Sequence, residues 1–425
     1  MNRSRYIPFA LMLTVLGSSI SLLGLPANAQ TAAPAAAPVV AAPAETVRPE
    51  VGKPLQAAVE LYKAKNYKAA MAKLGEITVT DKTPFETYTI DRIRAAIASA
   101  SGDDATAVAA LLSVVAVNRA PHEEQLNFIL AISDYYYKGS DYVQSATWIQ
   151  RYLKEGGNDP QARDMLVFSY YLNKDYAHAG EALQANLAEE EKAGVAPTEK
   201  QLNMLSNIAA QQKDQVAYVA ALEKTVVYYP KKEYWTDLVN RLRTKSNYSD
   251  RMDLDFYRLK FSMGLMSKPD EYVEMTELAL QAGLPAEAKK VMETGMQAGV
   301  LGSGPDADRH KRLLGEASKK AAEDLNTIAK TETEVRKRKD GVGLFNLGYV
   351  YVTNEQYDKG IALMEQGIAA GGLKHPEEAK LHLATAYSLA GRTPNAIQEF
   401  KTVQGADGSG DLARYWVLKL THPLP

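Results

Sequence analysis

The chain has 425 residues, with Lys+Arg 49 against Asp+Glu 51 and a formal net charge of −2. Hydrophobic residues at 46% and charged residues at 24% suit a folded soluble chain and argue against global disorder or a polytopic membrane protein. The near-neutral balance lacks the basic footprint of a nucleic-acid binder, and the absence of cysteine excludes disulfides, thiolate metal sites and cysteine nucleophiles.

Residues 1–29 have the three parts of a secretory signal. Arg3 and Arg5 give a positive start, Phe9 to Leu16 an apolar run, and Ala27-Asn28-Ala29 a small-x-small site, so cleavage is expected before Gln30. Ile7 to Leu25 is also long enough for a retained anchor, although Gly17, Ser18, Ser19 and Ser21 weaken its middle. Export without cysteine points to a bacterial periplasm. Residues 30–50 are rich in Ala and Pro, with Pro34, Pro38, Pro43 and Pro49 blocking helix propagation, and read as a semi-rigid spacer.

From residue 51 to 425 apolar residues recur at three- and four-residue spacing between breaks rich in Gly, Asn, Asp and Pro, a helical pattern throughout. Its segments repeat. Gly348 is followed by Tyr351, a second small residue Gly360 and then Met364, and the same spacing recurs at Ala384 with Tyr387, Ala396 and Phe400. The first small position returns at Ala58, Ala95, Ser133, Val167, Ser206 and Thr276. Steps average about 36 residues, the length of one helix-turn-helix unit, which gives about ten helix pairs with indistinct ones near 240 and 312.

This pattern resembles the tetratricopeptide repeat (TPR). The resemblance implies an all-α, right-handed superhelical solenoid in which small residues let paired helices approach and large apolar residues fill the seams between pairs. Tyr67, Tyr142, Tyr176 and Tyr357 are expected to close the turns between helices. It also implies that the first helix of each pair lines a concave groove. That places Asn127, Asp134, Tyr137 and Lys138, then Asp164, Phe168 and Tyr171, then Lys200, Asn203, Asn207 and Gln211 on a partner-binding surface. Aromatic rings alternating with amides and carboxylates suit an extended peptide, and Lys200, Asn203 and Asn207 are a fragment of the family's carboxylate clamp.

Chemistry is otherwise sparse. The six histidines, His122, His178, His310, His375, His382 and His422, form no helical metal pair, so no metal or cofactor is expected. Gly302-Ser303-Gly304-Pro305-Asp306 lacks the residues of a phosphate loop or nucleophile turn and reads as a helix stop followed by an N-cap before Ala307. The basic run from Arg336 to Lys339 is flanked by Glu332, Glu334 and Asp340 and reads as a solvated helix end.

The chain is therefore expected to be a non-enzymatic periplasmic scaffold for a protein or peptide partner, without nucleic acid and without a membrane span once the leader is removed. The stretches from Gly341 to Tyr351 and Gly360 to Leu373, with the closing Ala413-Arg414-Tyr415-Trp416, resemble TPR proteins of Gram-negative bacteria that accompany TonB-type systems, implying TonB-system partners. An envelope or cell-wall assembly factor is the alternative. A glycan-cleaving helical-repeat enzyme is a third, and requires one pocket holding two acids at catalytic separation.

Overall fold

A computed structural model describes residues 45–338 and 340–425. The leader and the spacer up to residue 44 lie outside the described residues. All regular structure among the described residues is helical, in twenty α-helices. They form two compact units that divide between Ala193 and Gly194.

The first unit contains four helix pairs: α1 (Pro49–Lys63) with α2 (Tyr67–Gly75), α3 (Pro84–Ser101) with α4 (Asp104–Val117), α5 (His122–Lys138) with α6 (Tyr142–Lys154), and α7 (Pro160–Leu172) with α8 (Tyr176–Lys192). Pro49, expected in the spacer, instead opens α1, where its missing N–H leaves no intrahelical bond unmade. Four further pairs lie in the second unit: α9 (Glu199–Gln211) with α10 (Gln215–Tyr228), α13 (Pro269–Gln281) with α14 (Pro285–Gln297), α16 (Gly341–Thr353) with α17 (Tyr357–Ala370), and α18 (Pro376–Leu389) with α19 (Thr393–Phe400).

One turn geometry recurs in all eight pairs and follows from the sequence register. Seven residues after the first small position the backbone enters the left-handed region, at Lys65, Gly102, Ser140, Lys174, Lys213, Gly283, Glu355 and Gly391. The next residue donates its N–H back to the carbonyl of the last helical turn at 2.9 Å, for instance Asn66 to Leu61, Asp214 to Ala209 and Arg392 to Tyr387. This closes the orphan carbonyls of the first helix. In five pairs that same residue is Asn or Asp, whose side chain accepts from the third residue of the second helix, as Asp141 does from the Gln144 N–H at 3.1 Å. A single residue thus ends one helix and starts the next.

The small residues sit where the paired helices meet. Ala58, Ala70, Ala95, Ala107, Ser133, Ser145, Ala288, Ala384 and Ala396 have no exposed surface. The approach is closest between α16 and α17. A Cβ on Gly348 would lie 2.6 Å from the Gly360 carbonyl oxygen and 2.8 Å from the Met364 nitrogen, so only glycine fits. Tyr67, Tyr142 and Tyr176 close their turns as expected, each against a tyrosine five residues earlier.

Two regions depart from the expected ten pairs. Near 240 the chain forms short α11 (Lys232–Asn240), two 3-10 turns and α12 (Asp253–Ser262). Near 312 it forms one uninterrupted helix, α15 (Ala307–Arg338), because no turn residues divide it: Gly315 is its only glycine, it contains no proline, and neighbouring turns carry charge pairs such as Lys320 with Glu316 at 2.7 Å. Gly302 and Gly304 have positive φ and make the turn before it, while Arg336 pairs with Glu332 and Arg338 with Glu334 on its last turns.

The two units are held together differently. In the first, one cluster joins α1, α2 and α3 through Leu55, Leu74 and Ile97, and a second joins α3 through α7 through Leu111, Phe128, Ile149 and Leu166, so the core lies in the seams of a solenoid. In the second, one continuous cluster runs from Leu222 on α10 to Trp416 on α20 (Ser409–Thr421), beside a separate cluster of Ile328, Leu344, Leu347, Tyr351 and Leu363 in the seam of α15, α16 and α17. The last helix returns to the start of its unit. Arg414 meets Glu223 at 2.7 Å, Lys245 meets Asp411 at 2.6 Å, and the Ser249 N–H donates to the Asp407 carbonyl at 3.0 Å. Ion pairs that keep one partner this open to solvent contribute modestly. Burial of Tyr415 and of Trp416, stacked on Phe400 at 5.5 Å, contributes more. The closing Ala413-Arg414-Tyr415-Trp416 motif is thus a structural clasp.

Helix α12 lies inside this closed unit, with every residue from Asp253 to Lys260 buried. Its charges are matched by distant segments. Arg258 makes a bidentate pair with Glu287 at 2.8 Å for each bond and a third bond to Asp255 at 2.8 Å, and His382 Nε2 lies 2.9 Å from the other Asp255 oxygen. Lys260 donates to Asn240 and Glu271. A buried charge without such partners would cost several kcal/mol.

Candidate functional site

The expected groove residues fall in both units, seven in the first and four in the second. In the first, Phe128, Ile129, Ile132 and Ser133 turn one face of α5 into the core. This leaves Asn127, Asp134 and Lys138 exposed and Tyr137 half-buried. On α7, Ala162, Leu166, Val167 and Ser169 are buried, Asp164 is exposed, and Phe168 and Tyr171 are half-buried. Helical spacing therefore brings polar groups and half-open rings to the uncovered faces of both helices.

Those rings are braced. Tyr137 packs edge-on against Tyr142 at 5.5 Å, and Tyr171 against Tyr176 at 5.6 Å, so the residue that opens the second helix fixes a ring on the first. Tyr62 repeats the arrangement with Tyr67 at 5.9 Å. It lies four residues after Ala58, as Tyr137 lies four after Ser133, and the same register would have added Tyr62 to the expected set. Lys138 sits 5.3 Å from the Tyr135 ring centre, so its ammonium already faces an aromatic surface.

Asp134 is reached by solvent, yet desolvation by the protein around it raises its carboxyl above the ordinary value, with Lys138 opposing and Asp159 adding to the shift. Desolvation likewise raises Tyr137, with Tyr142 contributing.

In the second unit Lys200, Asn203, Asn207 and Gln211 are exposed on α9. Asn203 donates its amide to the Tyr234 hydroxyl at 3.0 Å, and that hydroxyl donates to Glu199 at 2.6 Å. The amide of the clamp fragment is thus engaged with α11. On α16 and α18 the positions three before and one after the first small residue, Phe345, Tyr349, Leu381 and Thr385, are buried, whereas Val342 and Leu389 in the same register are exposed. Arg258 of α12 lies 4.8 Å from the Tyr349 ring centre, and α12 reaches α18 through Asp255 and His382. There the chain's own α12 covers Tyr349 and pairs with His382 beside it. Sequence reading missed this because the charges of α12 give it the composition of a surface helix.

Among the described residues no group of three or more His, Asp or Glu side chains is placed to hold a metal ion, and no helix is long and apolar enough to cross a membrane. One cavity, between α11, α12 and α13, contains Glu271 as its single acid and so lacks the acid pair of a glycan-cleaving site.

No family model matches the chain, and no curated protein matches it. Solved structures similar to it include the TPR2AB domain–pHSP90 complex of yeast Sti1, at 12% identity over 70% of this chain and 98% of that one, with a TM-score of 0.23. Yeast Tom70 is similar at 10% identity over 87% and 95%, with a TM-score of 0.25. A tetratricopeptide repeat protein from Parabacteroides merdae is similar at 10% over 70% and 98%, with a TM-score of 0.23. Scores this low leave the fold to be argued from the chain's own helix pairs, whose register, turns and small-residue contacts establish an all-α repeat.

Proposed function

We propose that this chain is a protein-interaction scaffold that holds an extended peptide segment of its partner along α5 and α7 of the first unit. The observation that carries the reading is the braced pair Tyr137 and Tyr171, with Phe168, Asp134 and Asp164 on the same helix faces, which the unit's own core leaves open. Pre-positioned rings lose little side-chain entropy on binding, and the flanking polar groups supply bonds for a peptide backbone. We place the protein in the periplasm, on the strength of Arg3, Arg5, the apolar run and Ala27-Asn28-Ala29, and read it as an accessory of a TonB-dependent transport system from its repeat style.

Crosslinked affinity purification from an envelope extract tests the scaffold, comparing the natural chain with a Phe168→Ala, Tyr171→Ala variant. A discrete partner lost in the variant supports the reading, whereas equal recovery by both chains refutes the site. The TonB assignment has its own test: deletion of the gene should impair uptake of at least one TonB-dependent substrate, and unaltered uptake of all of them would remove it.

A further inference from the structure

The cavity between α11, α12 and α13 shares no lining residue with the groove set and has a chemistry of its own. It is a half-open cleft of about 540 Å³, within the range of small-ligand sites, with Asn240, Ser267 and Lys268 exposed on its lining. Its lining joins Phe256, Tyr257 and Leu265 to the cations Arg243, Lys260 and Lys268. Lys260 is built into the wall, with its ammonium on Asn240 Oδ1 at 3.2 Å and on Glu271.

The hydrogen-bonding capacity of the wall is one-sided. Glu271 receives Lys260 on one oxygen and the N–H groups of Ser267, at 2.9 Å, and Lys268, at 3.1 Å, on the other. Burial works to raise its carboxyl, but these donors prevail and hold it below the ordinary value. Asn240 Oδ1 is likewise taken by Lys260, so these carboxylate and amide acceptors are committed. Donors remain: the Lys268 ammonium, the Asn240 amide nitrogen, the Ser267 hydroxyl and part of the Arg243 guanidinium. Arg243 is paired with Asp253 at 3.0 Å and Glu274 at 3.4 Å and Lys260 with Glu271, which leaves Lys268 as the lining cation without an ion-pair partner among the described residues.

We propose that this cavity binds a small organic oxyanion, with its charged end on Lys268, Asn240 and Ser267 and a short apolar body against Leu265 and the edges of Phe256 and Tyr257. An acceptor-rich anion uses the spare donors, whereas a cation would meet the Lys268 ammonium and a Glu271 carboxylate already paired with Lys260. The cavity touches three helices, so occupancy stabilises the second unit as a ligand of the folded state. This goes beyond the scaffold reading and does not depend on it.

The test is calorimetric and thermal-shift titration of the full chain with inorganic phosphate, acetate, benzoate and hexanoate, beside Lys268→Gln, Asn240→Ala and, as an exposed control on α15, Lys319→Gln. The expected result is saturable binding of benzoate or hexanoate, tighter than acetate, that Lys268→Gln and Asn240→Ala each weaken at least about fivefold and Lys319→Gln leaves unchanged. Phosphate binding as tightly as the carboxylates, with loss in Lys268→Gln, keeps the oxyanion site and removes the apolar part of the proposal. Flat titrations with all four probes to 50 mM, or binding that Lys268→Gln and Asn240→Ala leave intact, overturn it. Because Lys268 and Lys319 are exposed, circular dichroism of both variants is expected to match the natural chain.

Discussion

Replacing Gly348 by alanine places a methyl group 2.6 Å from the Gly360 carbonyl oxygen and 2.8 Å from the Met364 nitrogen, both backbone atoms of α17. No rotamer change relieves these contacts, so α16 and α17 must separate, loosening the equally close approach of Gly341 and Gly367. Overpacking typically costs about 1–3 kcal/mol, and backbone neighbours put this site at the upper end, about 3. Alanine returns about 1 kcal/mol of intrinsic helix preference, leaving a net loss of about 2. Gly315 on α15 is the matched control, since a Cβ there meets nothing within 4 Å, and Gly315→Ala should gain about 1 kcal/mol. Urea unfolding followed by tryptophan fluorescence reads both variants, Trp235 and Trp416 being indoles of the second unit. The expected separation is about 3 kcal/mol. A Gly348→Ala chain as stable as Gly315→Ala would refute the claim that backbone contact between paired helices sets the small-residue register.

Three further outcomes follow from the same structure. Gly391→Ala, at φ 73 with open space around it, should lose about 1 kcal/mol in urea unfolding, while Lys213→Gly at φ 58 should be neutral to stabilising. Asp255 is opposed by burial, but His382 and Arg258 depress its carboxyl to about 2. Its folded value lies below that of the unfolded chain, so its contribution is complete above roughly pH 4 and is lost as pH falls toward 2; acid titration by circular dichroism should show that slope, and Asp255→Asn should remove it. Trp416→Ala should cost about 3–5 kcal/mol and also release the clasp at Arg414, seen as faster hydrogen exchange in α10 as well as α20.

The repeat was legible because its cause is local. A position that touches a neighbouring helix backbone admits only small residues, and the left-handed turn and its cap then follow at fixed offsets, as Ala58, Lys65 and Asn66 do. The exposed or half-buried placement of the seven residues expected on the first unit's groove follows from helical spacing, while their role as a partner surface came from the repeat resemblance and is a proposal. The interior of the second unit was not. Asp255 and Arg258 are acceptable inside only because His382, more than a hundred residues away, and Glu287 meet them there, and no periodicity along α12 records those partners. The long α15 shows the converse: a step of the right length in the repeat still requires a turn residue to divide it.

Site-specific photo-crosslinking tests the central claim most directly. A photoreactive phenylalanine analogue would replace Phe168 on the proposed face, and in a second chain Gln184, exposed on the other helix of the same pair. The account predicts one discrete crosslinked partner from position 168, lost when Asp134 and Asp164 are changed to lysine, and none from position 184. Equal capture from both positions, or capture from 184 alone, would contradict it.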